Sequence, residues 1–262
     1  MGGLDLAATG SLAIARHLED RQVATAVSLV FARENRPDLS AISALAESGG
    51  AFTISHAPEN GHRLELLVNG LTYDLVGLAP GEGAPTVQAA HAFGLPVDTP
   101  LSDYEMVTLA LGPHLVGGAM MFPVVRAQAE LAAHLCSLPG AVAVNWHPAR
   151  SLSDVRYFRE AVLRWIDGGA FPGLGLAALA PTEDGGLQSE GLTHFIGQEL
   201  YLDPTLCEPR GDAAKVALRL MHWLVEHGTL EKNVVLTGPS GEPMQLIVNE
   251  GSGIVTAWRG GT

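Results

Sequence analysis

In the stretch GLTHFIGQELYLDP, residues 191–204, His194 and Glu199 stand five residues apart among apolar neighbours. An imidazole and a carboxylate within hydrogen-bond reach of one another would make a general acid–base pair. In an extended chain, however, side chains alternate between faces. Leu192, His194, Ile196, Gln198, Leu200 and Leu202 then share one face, and Thr193, Phe195, Glu199 and Tyr201 the other. On a helix the two groups would lie about 140° apart. Gly197 offers one way round, because a β-bulge there would return Glu199 to the face that carries His194. The simpler expectation is a half-buried strand with a polar tip.

A second concentration of chemistry is NWHPAR, Asn145 to Arg150, where amide, indole, imidazole and guanidinium groups precede a helix start. Such junctions can gather polar groups around a ligand, and a helix start favours an anion. Trp146, His147 and Arg150 therefore join His194 and Glu199 as candidate binding residues. The competing reading makes Trp146 core, lets Pro148 end a strand and leaves Arg150 in solvent.

Other motifs point away from catalysis. The chain has ten histidines but no H-E-x-x-H, no H-x-H and no cysteine cluster, so a metal site would have to be assembled from separate strands, for instance by His114, His147 and His194. His222 and His227 diverge around their helix. TGPSGEP and NEGSGIV lack the G-x-S-x-G spacing of a nucleophile elbow, and GLAPGEGAPT lacks the lysine of a phosphate loop. No catalytic residue, metal or cofactor is expected.

These residues must be held by elements that the pattern also indicates. VATAVSLVF, residues 23–31, reads as a buried strand, and PDLSAISALAES as a helix between Pro37 and Gly49-Gly50. HRLELLVNGLTYDLVGL sets Leu64, Leu66 and Val68 at alternate positions before Asn69-Gly70, a two-residue type I′ hairpin. The proline- and glycine-rich residues 79–100, with a short helical piece, separate an N-terminal half (1–100) from a C-terminal half (101–262). In the second half EMVTLALG and AVAVNW are strands, FPVVRAQAELAAHLCSLPG is a helix, Ser153 caps DVRYFREAVLRWIDGG, and Asp212 caps AAKVALRLMHWLVEHG. Strands joined by glycine-rich turns close the chain. Interleaved helices and hairpin-linked strands predict an α+β fold, with helices on mixed or antiparallel sheets and two intimately packed halves.

The pair of segments AVAVNWHPARSLSDVRYFREAVLRWID and SEGLTHFIGQELYLDP resembles the C-terminal part of the bacterial domain-of-unknown-function family 4261. There a strand ending in tryptophan precedes a helix, and a later segment reads Thr-x-Gly-Leu-x-x-apolar-Gly-x-x-Glu-apolar. Gly191, Leu192, Phe195, Glu199 and Leu200 fall on that pattern. Ser189 stands in place of the threonine, and Gly197 lies one place later than the family glycine. The resemblance implies a bacterial protein and brings no reaction or cofactor with it.

Composition narrows the function classes. At 262 residues with a net charge of −13, the chain lacks the basic field that phosphate backbones require. Hydrophobic residues reach 47% and charged ones only 16%, a surplus that a partner surface or a second copy could cover. No apolar run is long enough to span a bilayer, and the N-terminal twenty residues read as an amphipathic helix without the basic start of a secretory signal. Two cysteines, Cys136 and Cys207, fit a reducing cytoplasm. The expectation is a cytoplasmic, non-catalytic protein-binding module of the immunity or adaptor kind, engaging a basic protein partner or itself. The alternative is a small hydrolase or ligand-binding enzyme with its site near Trp146, His147, His194 and Glu199.

Overall fold

The computed structural model describes residues 23–58, 63–86, 88–95, 101–207, 210–238, 241–249 and 251–260. The amphipathic helix expected for the first twenty residues lies outside them. The fold is α+β, built on two mixed sheets.

The larger sheet has the order β2-β3-β4-β6-β1-β7-β8-β5. Its strands are β1 (Val27–Ala32), β2 (Thr53–His56), β3 (Arg63–Val68), β4 (Leu71–Val76), β5 (His91–Phe93), β6 (Tyr104–Leu111), β7 (Ala141–Trp146) and β8 (Ser151–Asp154). The smaller sheet, β12-β13-β14-β11-β10-β9, is made of β9 (Ala178–Pro181), β10 (Leu187–Glu190), β11 (Glu199–Leu202), β12 (Val234–Thr237), β13 (Pro243–Asn249) and β14 (Ile254–Arg259). Residue 100 does not separate two sheets: β1 pairs with β6 on one side and β7 on the other, and β4 also pairs with β6. The change of sheet falls between Asp154 and Ala178, so the division expected at residues 79–100 does not coincide with it. Those residues hold the short strand β5 where a helical piece was expected.

Local signals mostly act as read. The β3–β4 hairpin closes with Val68 opposite Leu71, and Asn69 (φ 52°) and Gly70 (φ 79°) take the two left-handed positions that a type I′ turn requires. Helix α1 (Leu39–Gly49) is capped by the Asp38 side chain, which accepts from the Ala41 N–H at 2.9 Å. Helix α3 (Val155–Ile166) is capped by Asp154, accepting from Arg156 and Tyr157; Ser153 is one residue too early and sits in β8. Helix α5 (Arg210–His227) begins before Asp212, whose carboxylate lies in the first turn and pairs with Lys215.

Alternation in the large sheet divides its strands between two faces. Val27, Leu29, Phe31, Leu64, Leu66, Tyr73, Leu75, Val107, Leu109, Val144 and Trp146 belong to one continuous core. Helix α2 (Phe122–Leu135) packs there against β1, β4 and β6, α3 against β7 and β8, and α5 against β10 and β11 of the small sheet. The one-turn helix α4 (Thr193–Ile196) touches both α2 and α5.

Among the described residues, the opposite face of the large sheet is covered only in part. Met106, Val30, Ala143 and Leu152 form a small cluster under Ala84, Ala89 and Leu95. Arg36 ties that covering segment down, donating to the carbonyls of Gly77 (2.5 Å) and Gly81 (2.7 Å) and to Glu105 (3.0 Å). At Gly77 (φ 89°) a Cβ would meet the Ala84 nitrogen at 2.6 Å and the Met106 oxygen at 2.7 Å, so glycine is required where the chain folds over the sheet. Where the cover stops, a cavity opens.

Candidate functional site: a cavity on the open sheet face

The cavity measures about 360 Å³ and is lined by Val23, Ala26, Val76, Ala84, Pro85, Ala110 and Pro113 together with Arg63, Asp74, Thr108 and His147. Its floor is the sheet itself. Register places Arg63 opposite Val76, Val76 opposite Thr108 and Thr108 opposite Ser28, while Asp74 lies opposite Ala110 one row along. Each of these strands is apolar on the core side, so a lone polar residue on the other side faces the cavity or its wall.

The polar groups form two connected sets. Arg63 donates to Asp74 at 2.6 Å; the carboxylate is buried and the guanidinium is half exposed at the rim. His147 contacts the Val23 carbonyl through Nδ1 (2.7 Å) and the Ser28 hydroxyl through Nε2 (2.9 Å), and Ser28 Oγ lies 2.7 Å from Thr108 Oγ1. A carbonyl oxygen can only accept, so Nδ1 carries the proton and Nε2 accepts from Ser28. Burial pushes the His147 pKa down, which favours this neutral form. A base beside a hydroxyl is the arrangement of an activated nucleophile, but Ser28 is 0% exposed, so the hydroxyl next to the base is sealed from the cavity.

The five residues singled out in the sequence do not meet in one pocket. Trp146 and His147 are neighbours at the end of β7 and point to opposite faces. Trp146 is buried in the core against Phe195, His194 and Phe158, with ring centroids 6.1, 5.9 and 6.5 Å away. His147 faces the cavity. His194 lies on α4, buried edge-on to Trp146 and Phe195, and its Nε2 has no hydrogen-bond partner among the described residues. Desolvation lowers its pKa from 6.5 to about 4.

The strand expected across residues 191–204 is therefore only half right. Residues 193–196 form a helical turn, Gly197 (φ 75°) is its left-handed end rather than a bulge, and only Glu199–Leu202 are extended. Glu199 turns back to cap that turn. Its carboxylate accepts from the backbone N–H groups of Gly191 (2.9 Å), Thr193 (3.1 Å) and Leu192 (3.3 Å) and from the Ser189 hydroxyl. Ser189 Oγ in turn accepts from Leu200 N–H at 2.8 Å. Glu199 is thus committed to four donors and shows no bond to His194.

Arg150 ends the 147–149 turn in a left-handed conformation (φ 45°) and grips Glu190 with two hydrogen bonds, of 2.5 and 3.0 Å. His91 joins the same carboxylate at 2.8 Å. Gly191 (φ 90°) packs so closely on this turn that a Cβ would meet the Ala149 backbone at 2.8 Å. The two sequence stretches do come together, therefore, but as the seam between the large and small sheets. Among the described residues no group of three histidine, cysteine or acidic side chains could hold a metal. His114 bonds Thr72 while His147 and His194 lie on opposite sheet faces.

Sequence reasoning passed over Ser28, Asp74, Thr108 and Arg63. The signal was present: VSLV, YDLV and VTLA each hold one polar residue inside an apolar strand. Only the strand order shows that these interruptions share one face. No family model, curated protein or solved structure matches this chain, and no helix among the described residues is long and apolar enough to cross a membrane.

Proposed function

We propose that this chain is a non-catalytic binding module whose binding centre is the cavity on the open face of the large sheet. The observation that supports this is the make-up of the cavity: among the described residues, seven apolar ones enclose about 360 Å³, with Arg63, Asp74, Thr108 and His147 as the polar lining. That size and that mixture suit a small ligand held by its apolar body and oriented by a few polar groups. The residues first suspected of chemistry are accounted for otherwise, Glu199 as a cap and Trp146 and His194 as core.

A second reading, engagement of a basic protein partner or a second copy in a bacterial cytoplasm, draws on the net charge of −13 and on three consecutive exposed apolar residues, Met120, Met121 and Phe122. A ligand-detected magnetic resonance screen of small fragments separates the two. Ala110→Met places a longer side chain in the cavity, and fragments that bind the unmodified protein are expected to lose at least about tenfold in affinity. Unchanged affinities, or no fragment binding at all, would overturn the cavity reading, and persisting hits would turn attention to Met120–Phe122.

A further inference from the structure

The hydrogen-bond chain at the cavity floor has a direction, and that direction limits what can bind. His147 Nδ1–H is committed to the Val23 carbonyl at 2.7 Å, so Nε2 presents a lone pair. The single proton of Ser28 goes to that lone pair across 2.9 Å. Ser28 Oγ has then no proton left for Thr108, so across the 2.7 Å between them it is Thr108 that donates. Ser28 is fully buried, and its ordering cannot be reversed by water from the cavity side. Thr108 Oγ1, whose one proton is spent on Ser28, meets the cavity with lone pairs alone.

The second polar set agrees in sign without adding net charge. Asp74, buried beside Ala110, is an acceptor, and Arg63 neutralises it at 2.6 Å. An ammonium ion would leave water for a site where Asp74, the carboxylate among the described lining residues, already has a cationic partner, which costs more than it returns. A neutral donor incurs no such penalty. We propose that the cavity takes a neutral molecule with an apolar body and a hydroxyl group, and that this hydroxyl donates to Thr108 Oγ1. The proposal rests on the cavity being the binding site and adds the polarity of what enters it.

Two ring compounds of nearly the same shape provide the test. Cyclohexanol can donate and accept, whereas cyclohexanone can only accept and, among the described lining side chains, finds a free donor in Arg63 at the rim. Titration of the full chain by calorimetry is expected to show cyclohexanol binding roughly tenfold more tightly, the equivalent of one buried hydrogen bond. In Thr108→Val, which keeps the β-branched shape and removes the oxygen, the two are expected to bind within about twofold of each other. Equal binding of alcohol and ketone to the unmodified protein overturns the polarity and leaves the cavity reading standing. A preference that survives in Thr108→Val also overturns it, since another group would then be accepting. Failure of both compounds to bind removes the cavity reading itself.

Discussion

Replacing Glu199 by alanine is expected to lower the free energy of unfolding by about 4 kcal/mol, measured by urea denaturation. Hydrogen bonds to a charged acceptor contribute roughly 1.5–3 kcal/mol each and do not add fully when they share one carboxylate. Here the carboxylate serves Ser189, Gly191, Leu192 and Thr193, the first three of them buried. Without it the start of α4 loses its cap, and the corner that packs Gly191 on Ala149 loses its support. Glu199→Gln keeps one acceptor oxygen and is expected to lose about half as much, because its amide nitrogen would face N–H groups. Glu160→Ala, at an exposed position on α3, is expected to stay within about 0.5 kcal/mol. A loss below about 1 kcal/mol for Glu199→Ala would contradict the capping role.

The second large effect is a pH dependence carried by His194. In the unfolded chain this imidazole titrates near its ordinary 6.5; in the folded chain burial against Trp146 and Phe195 brings it to about 4. Between these values the unfolded state binds a proton that the folded state does not, so stability falls as the pH falls from about 6.5 to about 4, and below that the contribution stays constant. The full difference is on the order of 3 kcal/mol. His147 is lowered by burial as well and acts in the same direction. The comparison that isolates His194 is the pH profile of unfolding free energy for the unmodified protein against His194→Phe. The unmodified protein is expected to lose about 3 kcal/mol relative to His194→Phe on going from neutral pH to about 4. Parallel curves would contradict this, since they would show that folding leaves the His194 pKa unchanged.

The α+β class, the Asn69-Gly70 hairpin and most of the helices were legible because each depends on local chemistry: an alternation, a turn dipeptide, a cap. The two helix starts read from Ser153 and Asp212 differ from the observed ones by one and three residues. The opening stretch failed for a different reason. Alternation and helical periodicity both treat His194 and Glu199 as members of one regular element, whereas the chain changes from helix to strand at Gly197, which no parity rule anticipates. The same alternation rule would have separated Trp146 from His147, two adjacent residues that were grouped by chemistry and are parted by the sheet. Ser28, Thr108 and Asp74 were beyond reach for want of strand order. Their meeting depends on β1, β4 and β6 being neighbours although their sequence separations are large. Gly191 and Glu199 build the seam between the sheets, a structural role that depends on contacts distant in sequence.

Where a ligand sits decides between the cavity and the seam. Nitrogen-15 chemical-shift mapping with cyclohexanol on the full chain reads this directly, residue by residue. The expected result is a set of shifted amides centred on Thr108 and Ala110 of β6 and reaching Ala26, Ala84 and His147. Shifts centred instead on Ser189 to Glu199 and Trp146 would contradict it.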